Sequence, residues 1–237
     1  MRARQAARRA ITAARENFLP GLLLQACLLV FLALYLWSGP MRRALEYVAQ
    51  VKLEWGYAFA VVSYLIAAAL LPELLRIFFF QNGRVRWRNA TNFLSAAPMW
   101  AFIGVTVDAL YRLQAVWFGT AHDLRTIVTK MAVDQFIYSP FFSAPVIVGW
   151  LAWRDAGFRL SALSEIFTID FALERIFPII VAGWCLWIPG VSLVYFMPSP
   201  LQLPTAVLIQ VFWVLIITTL SERKAAPPPA DTPPGVT

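Results

Sequence analysis

Three pairs of opposite charges sit in apolar surroundings at helical spacing: Glu73 with Arg76, Asp108 with Arg112, and Lys130 with Asp134, which has Gln135 beside it. Residues three or four apart share one face of an α-helix, so each pair can neutralise itself locally. That matters at membrane depth, where an isolated charge costs at least ~2.5–3.5 kcal/mol on insertion scales. Two chemistries fit. The pairs can be ion pairs that hold helices together, with Lys130 reaching outward along its aliphatic stem. Alternatively, they can line a polar pathway for ions or small solutes, which intramembrane ionisable groups commonly mark. Catalysis finds little to work with. The chain has a single histidine, His122, and no glycine-framed serine or glycine-rich phosphate loop ending in lysine. Cys27 and Cys185 lie inside apolar runs, which makes neither a disulfide framework nor a zinc site. The expectation is a protein that is not an enzyme, with no cofactor and no metal.

The elements that must position these charges are apolar and long. The chain of 237 residues is 60% hydrophobic and 14% charged, whereas soluble domains run near 45–50% and about 25%. Six spans are expected: Phe18–Ser38, Gly56–Phe80, Leu94–Phe118, Ile127–Trp150, Ile176–Met197 and Pro204–Leu220. Each approaches the ~20 residues that a helix needs to cross ~30 Å of hydrocarbon. Between the fourth and fifth, Leu160, Leu163, Phe167 and Phe171 recur at three- and four-residue spacing. This pattern predicts a helix over Phe158–Leu173 lying in the inner interface, with a solvated linker as the alternative. The fold class is therefore all-α: a polytopic transmembrane bundle of about six membrane helices plus one interfacial helix.

Charge outside the spans sets the orientation. The net charge of +7 comes with no nucleic-acid-reading motif, so no nucleic-acid partner is expected. With the N-terminus inside, only Arg42, Arg43, Lys52 and Arg125 fall in outer segments. Arg76, Arg112 and Lys130 fall in or at the ends of spans, and all other Lys and Arg lie inside. This bias places both termini on the cytoplasmic or matrix-like side. Residues 1–17 form a basic segment, read as a topology signal in preference to a mitochondrial targeting segment. Residues 18–224 form the helical domain, and 225–237 a disordered, proline-rich tail. Trp37, Trp55, Trp117, Trp150 and Trp153 fall at span ends, as headgroup-level indoles do. Trp100, Trp184, Trp187 and Trp213 lie deeper, and depth alone does not explain them.

Direction then places the charges. The third span runs outward and the fourth inward, so Arg112 and Asp134 reach similar heights at ~1.5 Å per residue. An outer cluster of Asp108, Arg112, Lys130, Asp134 and Gln135 is expected, with Glu73 and Arg76 nearer the inner side. Pro72, Pro98, Pro140, Pro145, Pro178 and Pro189 lie in or near the spans, where each favours a kink.

The stretch "KMAVDQFIYSP" resembles the signature of the Mpv-seventeen/PMP-twenty-two family. These are small integral proteins of peroxisomal and inner mitochondrial membranes, with bacterial and fungal relatives. The matching positions are Lys130, Asp134, Gln135 and Pro140. "FPIIVAGWCLWIPGVSLVYFMP" is similar to the family's later segment through Trp184, Trp187, Pro189, Phe196 and Pro198. Trp213, Leu220 and Ser221 echo its closing positions, while Asp108 and Pro98 look like the acid and proline of an earlier helix. Departures are Pro72-Glu73 in place of a Gly-Asp pair, and Ser192 or Tyr195 where the family carries glutamine and asparagine. The resemblance covers residues 56–224, so the first span is an addition. It implies a non-enzymatic membrane protein, and some members are regarded as weakly selective, regulated channels for small solutes.

Two functions stand side by side: a channel or small-solute permeation protein, and a non-conducting scaffold that organises partner proteins or lipids. The expected partner is the lipid bilayer, and a homo-oligomer fits either function. A bacterial inner membrane and an organellar one, mitochondrial inner or peroxisomal, fit equally.

Overall fold

The computed structural model describes residues 18–225. The basic segment 1–17 and the tail from 226 onward lie outside the described residues. Among the described residues the chain is helical, without strands. Its long elements are α1 (Phe18–Trp37), α2 (Gly39–Trp55), α3 (Tyr57–Phe80), α4 (Trp87–Phe118), α5 (Leu124–Asp155), α6 (Ile169–Phe196) and α7 (Ser199–Ala225).

Among the described residues four helices, α3 to α6, are long and apolar enough to cross a membrane. A fifth crossing is counted if α1 and α2, which meet at a 98° bend, form one span. The apolar part of α7, Ser199–Leu215, is shorter. These helices are compatible with a membrane location. So is the outer surface, where Leu19, Leu29, Phe78, Phe79, Val116 and Phe141 stand exposed.

The expected outer loop after the first span is instead the 17-residue helix α2. Its start is encoded locally: Ser38 caps it by accepting from the Met41 amide, and Pro40 fits the first turn. Met41, Leu45, Ala49 and Lys52 follow at helical spacing on the face turned to the bundle, while Arg42, Arg43, Glu46 and Tyr47 face out. Gly56 ends it at φ 54°, a conformation that residues with a Cβ rarely adopt. The interfacial helix expected over Phe158–Leu173 is not one helix. Leu160–Ala162 and Leu163–Ile166 make two short turns, and Thr168 then caps α6, which takes the remaining residues. Four apolar residues at helical spacing were too short a stripe to separate these cases. Among the described residues an amphipathic helix instead lies at α2.

Three of the prolines expected to kink spans sit just after π-helical turns. Leu65–Leu70 precedes Pro72, Asp134–Ser143 precedes Pro145, and Ala172–Ile176 precedes Pro178. In each case the carbonyl four residues before the proline lies in the widened turn, which gives the pyrrolidine ring room without breaking the helix. Pro98 and Pro189 lie within α4 and α6.

The main core joins α1, α3, α4, α6 and α7 through Leu28, Tyr64, Ile103, Leu186, Val194 and Ile209. Small residues set the closest approach. A Cβ on Gly104 of α4 would lie 2.8 Å from the Ala60 carbonyl oxygen of α3. Between helices in lipid, such close backbone packing supplies much of the attraction.

Candidate functional site

Asp134 opens the π-helical stretch of α5 and is buried. Both of its carboxylate oxygens are engaged. Gln135 Nε2 donates to Oδ1 at 2.9 Å. The Tyr195 hydroxyl of α6 donates to Oδ2 at 2.9 Å and accepts from Gln114 Nε2 of α4 at 2.8 Å. One carboxylate thus links α5, α6 and α4. Nearby, the indole of Trp184 on α6 donates to the Gln135 carbonyl at 3.0 Å. One turn further along α5, Tyr138 meets Thr106 of α4 at 2.8 Å. Thr106 already donates to the Ile103 carbonyl, so the Tyr138 hydroxyl is the donor.

Lys130 does not reach outward. It is 2% exposed, with its ammonium 5.8 Å from the centroid of the Tyr195 ring. That distance falls within cation–π range. Among the described residues no ion pair joins it to Asp134. The pairing expected to be direct runs through a third side chain: Asp134 at the hydroxyl of Tyr195 and Lys130 over its face.

Beside this network lies a cavity of about 400 Å³. Asp134, Gln135, Tyr138 and Ser139 supply polar wall on α5, and Gln210 supplies it on α7. Trp100, Trp184, Trp187 and Trp213 all line it. These are the four tryptophans too deep for a headgroup position, and the cavity is where they converge. The volume lies in the ~300–1,000 Å³ range of small-ligand sites. Pro140 and Pro189 are not among its lining residues.

Arg112 belongs to a separate site, so the expected cluster is divided. Asp108 is fully buried and takes two cations: Arg112 Nε at 2.8 Å and Lys52 Nζ at 3.0 Å. Arg112 also lies over the Tyr57 ring, 4.8 Å from its centroid. Lys52 comes from α2, one of the charges assigned to an outer loop. The 17 residues between the first two expected spans and their amphipathic stripe contained the signal, since Lys52 continues the row Met41, Leu45, Ala49.

Glu73 and Arg76 form the expected pair. Around the Glu73 carboxylate, Asn89 Nδ2 donates to Oε2 at 2.8 Å and Asn92 Nδ2 to Oε1 at 3.2 Å, so α3 is tied to the first turns of α4. Asn89 also accepts from the Arg86 amide at 2.9 Å, capping α4. Sequence reasoning missed Lys52, Asn89, Asn92, Gln114 and Tyr195. Tyr195 was read only as a departure from a motif, although a phenol needs a partner when buried.

Asp123 caps the first turn of α5. It accepts from the Thr126 hydroxyl at 2.7 Å and the Thr126 amide at 3.0 Å, which together hold its carboxyl below the ordinary aspartate range.

Among the described residues no group of three His, Cys, Asp or Glu side chains is placed to hold a metal ion. No protein-family model, no curated protein and no solved structure matches this chain.

Proposed function

We propose that the chain is an integral membrane protein of six crossings that lets small solutes pass in a weakly selective way, as its resemblance to the Mpv-seventeen/PMP-twenty-two family implies. The observation that carries this reading is the cavity inside the bundle, where four deep tryptophans meet Asp134 and Gln135. A bundle that served only to pack would fill such a space. In this arrangement α1 crosses outward, α2 lies along the outer surface, α3 to α6 cross alternately, and α7 returns. Both termini then lie on the cytoplasmic or matrix-like side of a bacterial inner or organellar membrane. A homo-oligomer is compatible with this arrangement.

The test is flux of small solutes and ions into liposomes holding the purified full chain. The expected result is flux above that of empty liposomes, reduced severalfold by Gly183→Leu. Gly183 lines the cavity, and among the described residues an added Cβ there meets only Trp187 Cδ1, at 3.6 Å. Flux equal to empty liposomes across voltage, pH and redox conditions overturns the reading.

One observation favours a scaffold instead: both oxygens of Asp134 are taken by protein donors. Asp134→Asn separates the two. A pathway residue changes selectivity, whereas a structural one lowers stability and leaves flux per folded molecule unchanged.

A further inference from the structure

Trp100 lines two cavities. One is the aromatic cavity above. The other, of about 520 Å³, opens at the end of the bundle where α3 turns into α4. Its wall differs sharply in charge. Arg76 from α3, Arg86 and Arg88 from the start of α4, and Arg154 from the end of α5 all line it. Among the described residues the one carboxylate on that wall, Glu73, already accepts from Arg76, Asn89 and Asn92.

The remaining guanidinia are available. Arg154 pairs with Asp155, which is itself exposed, at 2.8 Å. Among the described residues no carboxylate pairs with Arg86 or Arg88. The N-terminus of the 32-residue α4 opens at the same place, and a helix N-terminus carries partial positive charge. Arginines that converge from three helices on one concavity present planar forks suited to phosphate oxygens. Topology alone requires basic loops, not loops whose arginines meet across a cavity.

We propose that this cavity binds a phosphate group. The group is either the headgroup of an anionic phospholipid seated between the helix ends or a soluble phosphate. Both present the same oxygens to Arg86, Arg88 and Arg154, while Asn92 and Gln81 offer neutral polar groups on the wall. Basic pockets between helices on the inner side are a known setting for anionic headgroups. The site stands whether or not the bundle conducts.

The experiment uses the full chain in neutral detergent micelles. One arm titrates inorganic phosphate and follows the melting temperature. The other dopes the micelles with equal phosphatidylglycerol and phosphatidylcholine, and reads retained lipid by native mass spectrometry. Saturable binding of at least one probe is expected, weakening as salt rises. The double variant R86Q/R88Q should weaken it at least tenfold, while R42Q/R43Q, the same charge change on α2, should leave it unaltered. Selective retention of phosphatidylglycerol that phosphate does not displace identifies a lipid headgroup. Phosphate that binds alone or displaces the lipid identifies a soluble ligand. Arg154→Gln, on another helix, repeats the test should R86Q/R88Q not fold. The proposal is overturned if neither probe binds saturably, or if R42Q/R43Q loses binding as much as the cavity variants do.

Discussion

The hydroxyl of Tyr195 sits 2.9 Å from Asp134 Oδ2 and 2.8 Å from Gln114 Nε2, so a single phenol bridges a buried acid and a buried amide on two other helices. Its ring also lies beneath Lys130 and edge-on to Tyr111, with centroids 5.5 Å apart. The charges of α5 are therefore accommodated by an aromatic residue of α6, not by each other. The buried acid thus has hydrogen-bond donors in place of a direct cation.

Tyr195→Phe keeps the ring and removes the hydroxyl. An interhelical hydrogen bond in a membrane protein is worth on average only ~0.6 kcal/mol. Here two buried groups lose a partner, and an orphaned buried polar group costs about 1–3 kcal/mol. The expected loss is nearer the second figure, read by unfolding in mixed micelles. Combined with Gln114→Leu, the double variant should lose less than the sum of the singles, because they share a network. Strict additivity would show that the phenol does not join the two.

Lys52 and Arg112 both hold Asp108, but with unequal effect. The Lys52 side chain is 7% exposed and that of Arg112 is 46% exposed. Removing one partner of a buried pair costs about 3–5 kcal/mol, while solvent-screened pairs contribute about 0–1 kcal/mol. Lys52→Met should destabilise more than Arg112→Met. It should also raise amide exchange across α2, which loses its tie to α4. Equal effects, or undisturbed exchange in α2, would remove Lys52 from that role.

The helical class, and helices at every expected span, were legible because apolar runs and helical spacing report them directly. The Glu73–Arg76 pair was legible for the same reason: both members lie on one helix three residues apart. What stayed hidden was the choice among partners on different helices. Spacing offered Asp134 to Lys130, yet Tyr195, 61 residues beyond Asp134, took the carboxylate. Nothing in a local pattern encodes which side chain of another helix faces that depth. Lys52 was hidden differently. An amphipathic helix with mixed charge reads as a loop when only long apolar runs are sought, and the 98° bend at Ser38 breaks the apolar run just before it. The deep tryptophans were visible as an anomaly, but only the packed helices bring them to one cavity.

Asp123 gives α5 a pH-dependent cap. Its folded carboxyl is held below the ordinary value of 3.8 by the Thr126 hydroxyl and amide. A depressed folded pKa contributes stability that is fully present above the unfolded value and is lost as pH falls through the folded one. The cap should therefore hold at neutral pH and release only below about pH 4. Amide exchange at Thr126, corrected for intrinsic rates, should rise in that window. Asp123→Asn should flatten the rise, and an unchanged profile in that variant would assign it to another group.

Gly104 tests whether close helix approach holds α3 against α4. An added Cβ would lie 2.8 Å from the Ala60 carbonyl oxygen and 2.9 Å from Tyr64 Cγ. No rotamer moves a backbone carbonyl, so the two helices must separate. Gly→Ala in a helix interior gains roughly 0.5–1 kcal/mol from backbone entropy, while overpacking a close contact costs typically 1–3 kcal/mol. The second term is larger, so Gly104→Ala should lower stability by about 1 kcal/mol or more. Gly104→Leu should prevent α3 and α4 from docking. Gly21 of α1 is the control, since among the described residues a Cβ there meets nothing within 4 Å. Gly21→Ala should be neutral or slightly stabilising, because only the entropy term acts. The two alanine variants differ in one physical quantity, the space available to a methyl group. If they melt alike in micelles, contact between α3 and α4 at Gly104 is not what holds this part of the bundle.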